Sequence, residues 1–280
     1  MSTLEIPKGP LSTDVEYKAE ASLPLRPSPS PEGTVGEAIE SPQYTPEQDK
    51  TWAQLFSRQE QILQNKACNE YLDGRTKMSF PSHSVAKLAD ASRALHKYSS
   101  WQVVRVNGFV PQPIFFKLLE QKCFPCTDFL RHPNELEYTP APDMFHDLMG
   151  HLPMITQSRF ASFFHAFGRA GVNARNELDT VRLGRIYWYT VEFGLMNPTA
   201  HLGHKRVDSE CRIYGAGISS SVGEIANSLS HKVQKLPFKI EQVANTDYDI
   251  HHMQPFLFEI SSFDELESEF LRWAKAEKLL

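Results

Sequence analysis

Downstream of residue 45 the apolar positions recur at helical spacing. Trp52, Leu55, Phe56, Ile62 and Leu63 fall on one stripe of a 3.6-residue repeat. Thr45-Pro46-Glu47-Gln48 stands just before them and has the form of a capping box: Thr as N-cap, proline in the first turn, Gln three residues on. This pattern predicts a helix that it, or its continuation, ends at Gly74. A second helix is expected over about 82–97, with Val85, Leu88, Ala89 and Leu95 on one face. Residues 101–106 alternate as a strand does. A helix over 113–121 carries Phe115, Phe116, Leu118 and Leu119. Further helical patterns cover roughly 142–149, 158–169, 175–196, 221–229 and 263–277, with short strands near 211–214 and 255–260. No repeat is visible, and no regular strand–helix alternation suggests a doubly wound sheet. The expected fold is therefore one mainly α domain over residues 46–280, completed by a few short β-strands.

Residues 1–45 have a different composition. Eight of the 19 prolines fall within the first 46 residues, among serines and glutamates. Such a segment buries too little apolar surface to order itself, so it is expected to be a disordered Pro-rich tail, its PxxP-like spacing notwithstanding. The whole chain has 41% hydrophobic and 22% charged residues and a net charge of −5. That charge argues against nucleic acid as a partner. No apolar run approaches the roughly 18 residues of a membrane span, and the start MSTLEIPKGP lacks the features of a signal peptide. Four cysteines in 280 residues make no disulfide framework. A cytoplasmic protein is expected.

Chemistry concentrates in Pro142-Asp143-Met144-Phe145-His146-Asp147-Leu148-Met149-Gly150-His151-Leu152-Pro153. On an ideal α-helix, residues five apart point about 140° away from each other, so His146 and His151 could not share an ion. A helix stop at Gly150, enforced by Pro153, would let His151 turn back. A zinc hydrolase needs histidines four apart with Glu after the first. Here the spacing is one longer and Asp147 follows, so that chemistry ranks second. Glu192 is the lone acid of the aromatic run Ile186 to Leu195. A carboxylate buried there must be paired, protonated or metal-bound. Two histidines and a carboxylate form the facial triad of non-haem iron(II). Trp188, four residues before Glu192, is expected on the same helical face as a wall for a flat apolar substrate. Taken singly, each residue has a bland explanation: polar packing for the histidines, a salt bridge to Arg185 for Glu192. Taken together, they favour a metal site. A second candidate, His201-x-x-His204 with Asp208 and Cys211, fits a solvated loop better than a metal site. The CxxC of Cys123 and Cys126 fits two reduced thiols.

The blocks FLRHPNELEYTPAPDMFHDLMGHLPM, IYWYTVEFGL and YGAGISSSVGE, in this order, resemble the tetrahydropterin-dependent aromatic amino acid hydroxylases of bacterial type. Weaker similarity extends this over roughly residues 50–265. The resemblance implies a basket-like, mainly helical catalytic domain around a deep iron site. It implies Fe(II) held by His146, His151 and Glu192. The substrate carboxylate would meet Arg131, oriented by Asp143 and helped by Thr139 and Ser220. Trp188, Phe193 and Pro140 would line the ring pocket, with Ile250 near a position that is acidic in tyrosine enzymes. A tetrahydropterin, tetrahydrobiopterin or a related reduced pterin, would lie on Phe115, against Gly108, Phe109 and Val110 and near Asp147 and Tyr187. The implied reaction consumes O2, one atom going to the aromatic amino acid and the other to the pterin. Phenylalanine is the first expected substrate; tryptophan or a broad range is the alternative. The segment from Asn197 to Ser209 looks longer than usual for the family. A bare catalytic domain, without a regulatory domain or tetramerisation helix, is expected, and with it a monomer. A non-catalytic interaction protein is a remaining class, which the full ligand set argues against.

Overall fold

The computed structural model describes residues 39–108, 110–136, 142–250 and 252–280, with the side chains of 203 and 204 left aside. Helix α1 (Pro46–Leu63) starts as expected: Gln48 N donates to Thr45 Oγ1 at 3.3 Å and Thr45 N to Gln48 Oε1 at 2.9 Å. Its apolar stripe buries Trp52, Leu55, Phe56 and Leu63. Helix α2 (Asn69–Met78) runs straight through Gly74. That glycine is no helix stop: a Cβ there would lie 2.1 Å from the Pro153 carbonyl oxygen, so its lack of a side chain permits close packing. Helix α3 (Leu88–Ser99) begins later than its apolar spacing suggests. Val85 lies before it, its N–H donating to Asp49 Oδ1 at 2.8 Å.

Strand β1 (Gln102–Val106), helix α4 (Gln112–Glu120) and strand β2 (Cys123–Thr127) form a parallel crossover unit, with Val104 opposite Pro125. Sequence alternation does not reveal β2, because all five of its residues are buried and one is proline. A π-helical turn (His146–His151) leads into α5 (Leu152–Ile155), α6 (Ser158–Val172) and α7 (Glu177–Tyr187). The helix expected over 175–196 changes to a second π-turn (Trp188–Glu192) and stops there. Strands β3 (Leu195–Met196) and β4 (Arg212–Ile213) follow. Helices α8 (Ala216–Ser219) and α9 (Val222–Ser228), strand β5 (Gln234–Pro237), helix α10 (Ile240–Ala244), strand β6 (Phe256–Ile260) and helix α11 (Phe263–Ala276) complete the chain. The second sheet has the order β4-β3-β6-β5, with β3 antiparallel to β4 and parallel to β6.

An aromatic core fixes these pieces. Phe160, Phe163, Phe164 and Phe167 of α6 contact Phe263 and Phe270 of α11, Trp101, and Phe124 of β2. Phe124 in turn touches the His151 ring at 4.8 Å, so the core supports the site directly. Ile39 and Tyr44, expected in the tail, pack against this core, and Tyr44 donates to the Asp128 carbonyl at 3.0 Å. All four cysteines are buried and unpaired, including Cys123 and Cys126. The 197–209 segment is pinned down: Arg206 grips the buried Glu259 carboxylate with Nε and Nη2 at 2.5 and 2.6 Å. No described helix is long and apolar enough to cross a membrane.

Candidate metal centre and active site

His146 and His151 meet although five residues separate them, because the backbone between them is a π-turn. Its wider i→i+5 hydrogen bonding brings residues five apart to the same side. The helix does not stop at Gly150, as the composition suggests; it widens, then continues through Pro153 into α5. The two Nε2 atoms lie 3.1 Å apart. Glu192 reaches them from the second π-turn, with Oε1 at 3.2 Å from His151 Nε2 and Oε2 at 3.6 Å from His146 Nε2. Among the described residues this is the one cluster of three His, Cys, Asp or Glu side chains with metal-ligand geometry. The salt-bridge alternative for Glu192 falls away, since Arg185 pairs with Asp247 and the Ala244 carbonyl.

The protonation pattern suits a cation. Ser220 Oγ donates to the Ala216 carbonyl at 2.8 Å, so its hydrogen is committed. At 2.9 Å from His146 Nδ1 it must therefore accept, which puts the ring proton on Nδ1 and an open lone pair on Nε2. Burial holds His146 neutral, its pKa pushed down to about 4. Burial also pushes the Glu192 carboxyl up, but the two imidazoles and the Tyr187 hydroxyl outweigh it and bring it to about 2. A carboxylate and a facing pair of imidazole nitrogens, His151 buried and the other two groups half-buried, need a proton or a cation between them. Donors about 2.1 Å from one ion at right angles lie about 3 Å apart, close to the spacing found. The residues fit a divalent metal.

Around this centre the other expected residues fall as follows. Arg131 and Asp143 form a buried bidentate pair, Nε to Oδ2 at 2.8 Å and Nη2 to Oδ1 at 2.7 Å. Asp143 also accepts from the His146 backbone N–H at 3.0 Å, capping the helix that carries the ligand. Burial raises the Asp143 carboxyl, yet the Arg131 charge and hydrogen bonds hold it below the ordinary range. Ser220, expected near the substrate carboxylate, lies beside His146, its Oγ 2.9 Å from Nδ1. Asp147 Oδ2 accepts from Thr127 N at 2.8 Å and Oγ1 at 3.0 Å. Its burial pushes the carboxyl up to about 7 despite those bonds.

Trp188 is half-buried between Phe193 and Tyr248, both at 4.4 Å between ring centroids. The π-turn removes the simple one-turn relation to Glu192 expected from an α-helix. Tyr248, which the sequence does not single out, extends the aromatic wall. Ile250 is half-buried on the turn just after it. Phe115 meets Tyr187 edge-on at 5.4 Å, and the Tyr187 hydroxyl helps to hold the Glu192 carboxyl down, so this tyrosine bears on the candidate metal site as well as the expected pterin region. Gly108, at φ 153°, and buried Val110 stand near the start of α4. Phe109, Thr139 and Pro140 lie outside the described residues, as does the segment 1–38.

Residues 28–279 match the profile of the biopterin-dependent aromatic amino acid hydroxylases. Phenylalanine-4-hydroxylase of Chromobacterium violaceum is 37% identical over 224 residues, covering 80% of this chain and 72% of the relative. That of Caulobacter vibrioides is 36% identical over 247 residues, 88% of this chain and 80% of the relative. Tyrosine 3-monooxygenase of Schistosoma mansoni is 34% identical over 238 residues, 84% of this chain but 49% of the relative. The solved structure of the C. violaceum phenylalanine hydroxylase with bound iron(III) and 7,8-dihydrobiopterin is similar with a TM-score of 0.77 and 35% identity, covering 84% of this chain and 83% of that one. The apo phenylalanine hydroxylase of Colwellia psychrerythraea gives a TM-score of 0.77 at 32% identity, covering 88% and 94%.

Proposed function

The chain belongs to the biopterin-dependent aromatic amino acid hydroxylases, and from that premise we propose that it hydroxylates L-phenylalanine to L-tyrosine with O2, non-haem iron(II) and a tetrahydropterin. The observation that carries this reading is the convergence of His146, His151 and Glu192, with the His146 proton held on the far nitrogen by Ser220. Iron(II) bound there, with the reduced pterin, supplies the activation of O2. The chain's own residues bind, orient and exclude water. Two imidazoles and one carboxylate hold a 2+ ion while leaving coordination positions open.

Arg131 anchors the substrate carboxylate in this proposal. Its Nε–Nη2 edge is taken by Asp143, which leaves the other edge to meet a second carboxylate in fork geometry. Thr139 is assigned to the same end of the substrate. Trp188, Phe193, Pro140 and Ile250 enclose the ring. Gly108, Phe109, Val110 and Phe115 receive the pterin, with Asp147 and Tyr187 at its iron side. Ile250 supports phenylalanine over tyrosine, because no carboxylate stands there for a phenol. The flanking acids are engaged elsewhere, Asp247 with Arg185 and Asp249 with His252 at 2.8 Å. We also assign the protein to the cytoplasm as a monomer, with residues 1–38 dispensable for the chemistry.

The test is anaerobic loading with iron(II), followed by O2, a tetrahydropterin and, separately, phenylalanine, tyrosine and tryptophan. Tyrosine formed from phenylalanine, in step with oxygen uptake, is expected. A protein that retains zinc, takes up no oxygen and hydrolyses amide or ester substrates would replace this reading with the hydrolase alternative.

A further inference from the structure

The π-turn that joins the two histidines has an unusual backbone, and one of its carbonyls has a partner from another helix. In an α-helix the Met149 carbonyl would accept from the backbone N–H of residue 153. Residue 153 is proline and has none. A buried carbonyl without a donor costs about 1–3 kcal/mol. Here the donor comes from another helix: the Tyr71 hydroxyl of α2 reaches the Met149 oxygen at 2.7 Å, and Tyr71 is fully buried. One turn further along α2, Gly74 lies against Pro153, where a Cβ would sit 2.1 Å from its carbonyl oxygen. The same helix therefore supplies the missing donor and the space for the proline.

We propose that Tyr71, acting with Pro153, is a positioning residue for the metal centre: its hydroxyl holds the His146–His151 segment in the π register that lets both imidazoles face one ion. Pro153 denies the segment an in-helix donor that would favour ordinary α winding. Tyr71 satisfies the carbonyl that this leaves over. In the α register His146 and His151 would point about 140° apart and could not act together. The inference rests on the reading of His146, His151 and Glu192 as ligands of one ion.

The probe is Co(II) alone, added to the metal-free full-length protein. Affinity is read by titration, donor number and kind by the visible ligand-field spectrum, and folding in parallel by the melting temperature without metal. Tyr71→Phe keeps the ring and removes the hydroxyl. It is expected to weaken Co(II) binding about tenfold, the lower end of what supporting hydrogen bonds contribute to a metal site, and to alter the spectrum. Pro153→Ala gives Met149 an in-helix donor, so it should also weaken binding while leaving the metal-free fold at least as stable. Tyr71→Phe added to Pro153→Ala should then lower the affinity little further, since the carbonyl no longer depends on Tyr71. Unchanged affinity and spectrum in Tyr71→Phe, with only a lower melting temperature, would make Tyr71 an ordinary packing residue and overturn the inference. Fully additive losses in the double variant would overturn it too. If the unaltered protein bound no Co(II), the assignment of the three ligands would fail first and this inference with it.

Discussion

Arg131 and Asp143 are the residues on which the proposed substrate binding and local stability meet. Both are buried, so each depends on the other to offset the cost of its charge. Asp143→Asn strands the guanidinium and is expected to destabilise the fold by about 3–5 kcal/mol, measured by urea unfolding. The sign with pH follows from the lowered Asp143 pKa. The native state binds fewer protons here than the unfolded chain, whose carboxyl titrates near 3.8. The pair's contribution is therefore present above that pH and lost as pH falls through the lower native value. A wild-type acid-unfolding curve that Asp143→Asn leaves in shape and position would contradict this. Arg131→Lys keeps charge but loses the fork, so the KM for phenylalanine should rise by at least tenfold while the pterin KM moves little. In the ring pocket, burying a phenol hydroxyl without an acceptor costs roughly 1–3 kcal/mol, or about five- to 150-fold in preference. Ile250→Asp supplies an acceptor and should shift the ratio of kcat/KM values toward tyrosine; an unmoved ratio places Ile250 away from the ring.

The two π-turns are the elements that make the site. Each carries ligands on a stretch where an α-helix would have misdirected them, and each has a hydroxyl on a backbone carbonyl: Tyr71 on Met149, and Thr190 on Ile186 at 2.5 Å. In the second, the Phe193 N–H closes the wide turn on the Trp188 carbonyl at 2.8 Å, so Glu192 ends the helix facing His151. Helix α2 supports the first turn through a close approach that only glycine permits. Gly74→Ala would push a methyl group into the Pro153 backbone, which cannot yield as a side-chain tip can. Overpacking of this kind typically costs about 1–3 kcal/mol. A lowered melting temperature and a looser hold on metal are expected together, read by thermal unfolding and Co(II) titration. A variant as stable as wild type would show that α2 and α5 can separate without consequence.

At the scale of the whole molecule, the ligands come from segments about forty residues apart, and their geometry exists only in the folded chain. A metal that binds the native state alone must therefore raise its stability. At a free concentration a hundred times the Kd the gain is about 2.7 kcal/mol, or roughly 5–10 °C in melting temperature for a domain of this size. His146→Ala should abolish that shift while the metal-free protein still melts cooperatively. A shift that survives in His146→Ala would locate the stabilising ion elsewhere. Arg206 and Glu259 tie the 197–209 segment, which follows Glu192 by only a few residues, to β6, and Tyr44 ties the chain preceding α1 to Asp128.

Some of this was legible in the residues alone. The capping box before α1, the amphipathic helices, the strand β1 and the three candidate metal ligands all follow from local spacing or residue chemistry. Local signals are strong where one face of a helix is buried and the other is wet. The rest required tertiary contacts. Strand β2 is buried on every side and has no alternation to read. Gly74 and Gly150 look like helix stops, because a glycine in a sequence does not reveal whether it ends a helix or admits a neighbour. The five-residue spacing of His146 and His151 is wrong for an α-helix. Only packing against α2, with Tyr71 satisfying the Met149 carbonyl, decides that the backbone widens there. Ser220 belongs to His146 for the same reason: its hydrogen is spent on Ala216, a partner that residue type alone does not disclose. The sequence determined which groups can bind a metal. The tertiary structure decided that they face one another, because side-chain direction depends on backbone register, and register here is held by contacts from residues far away in the chain.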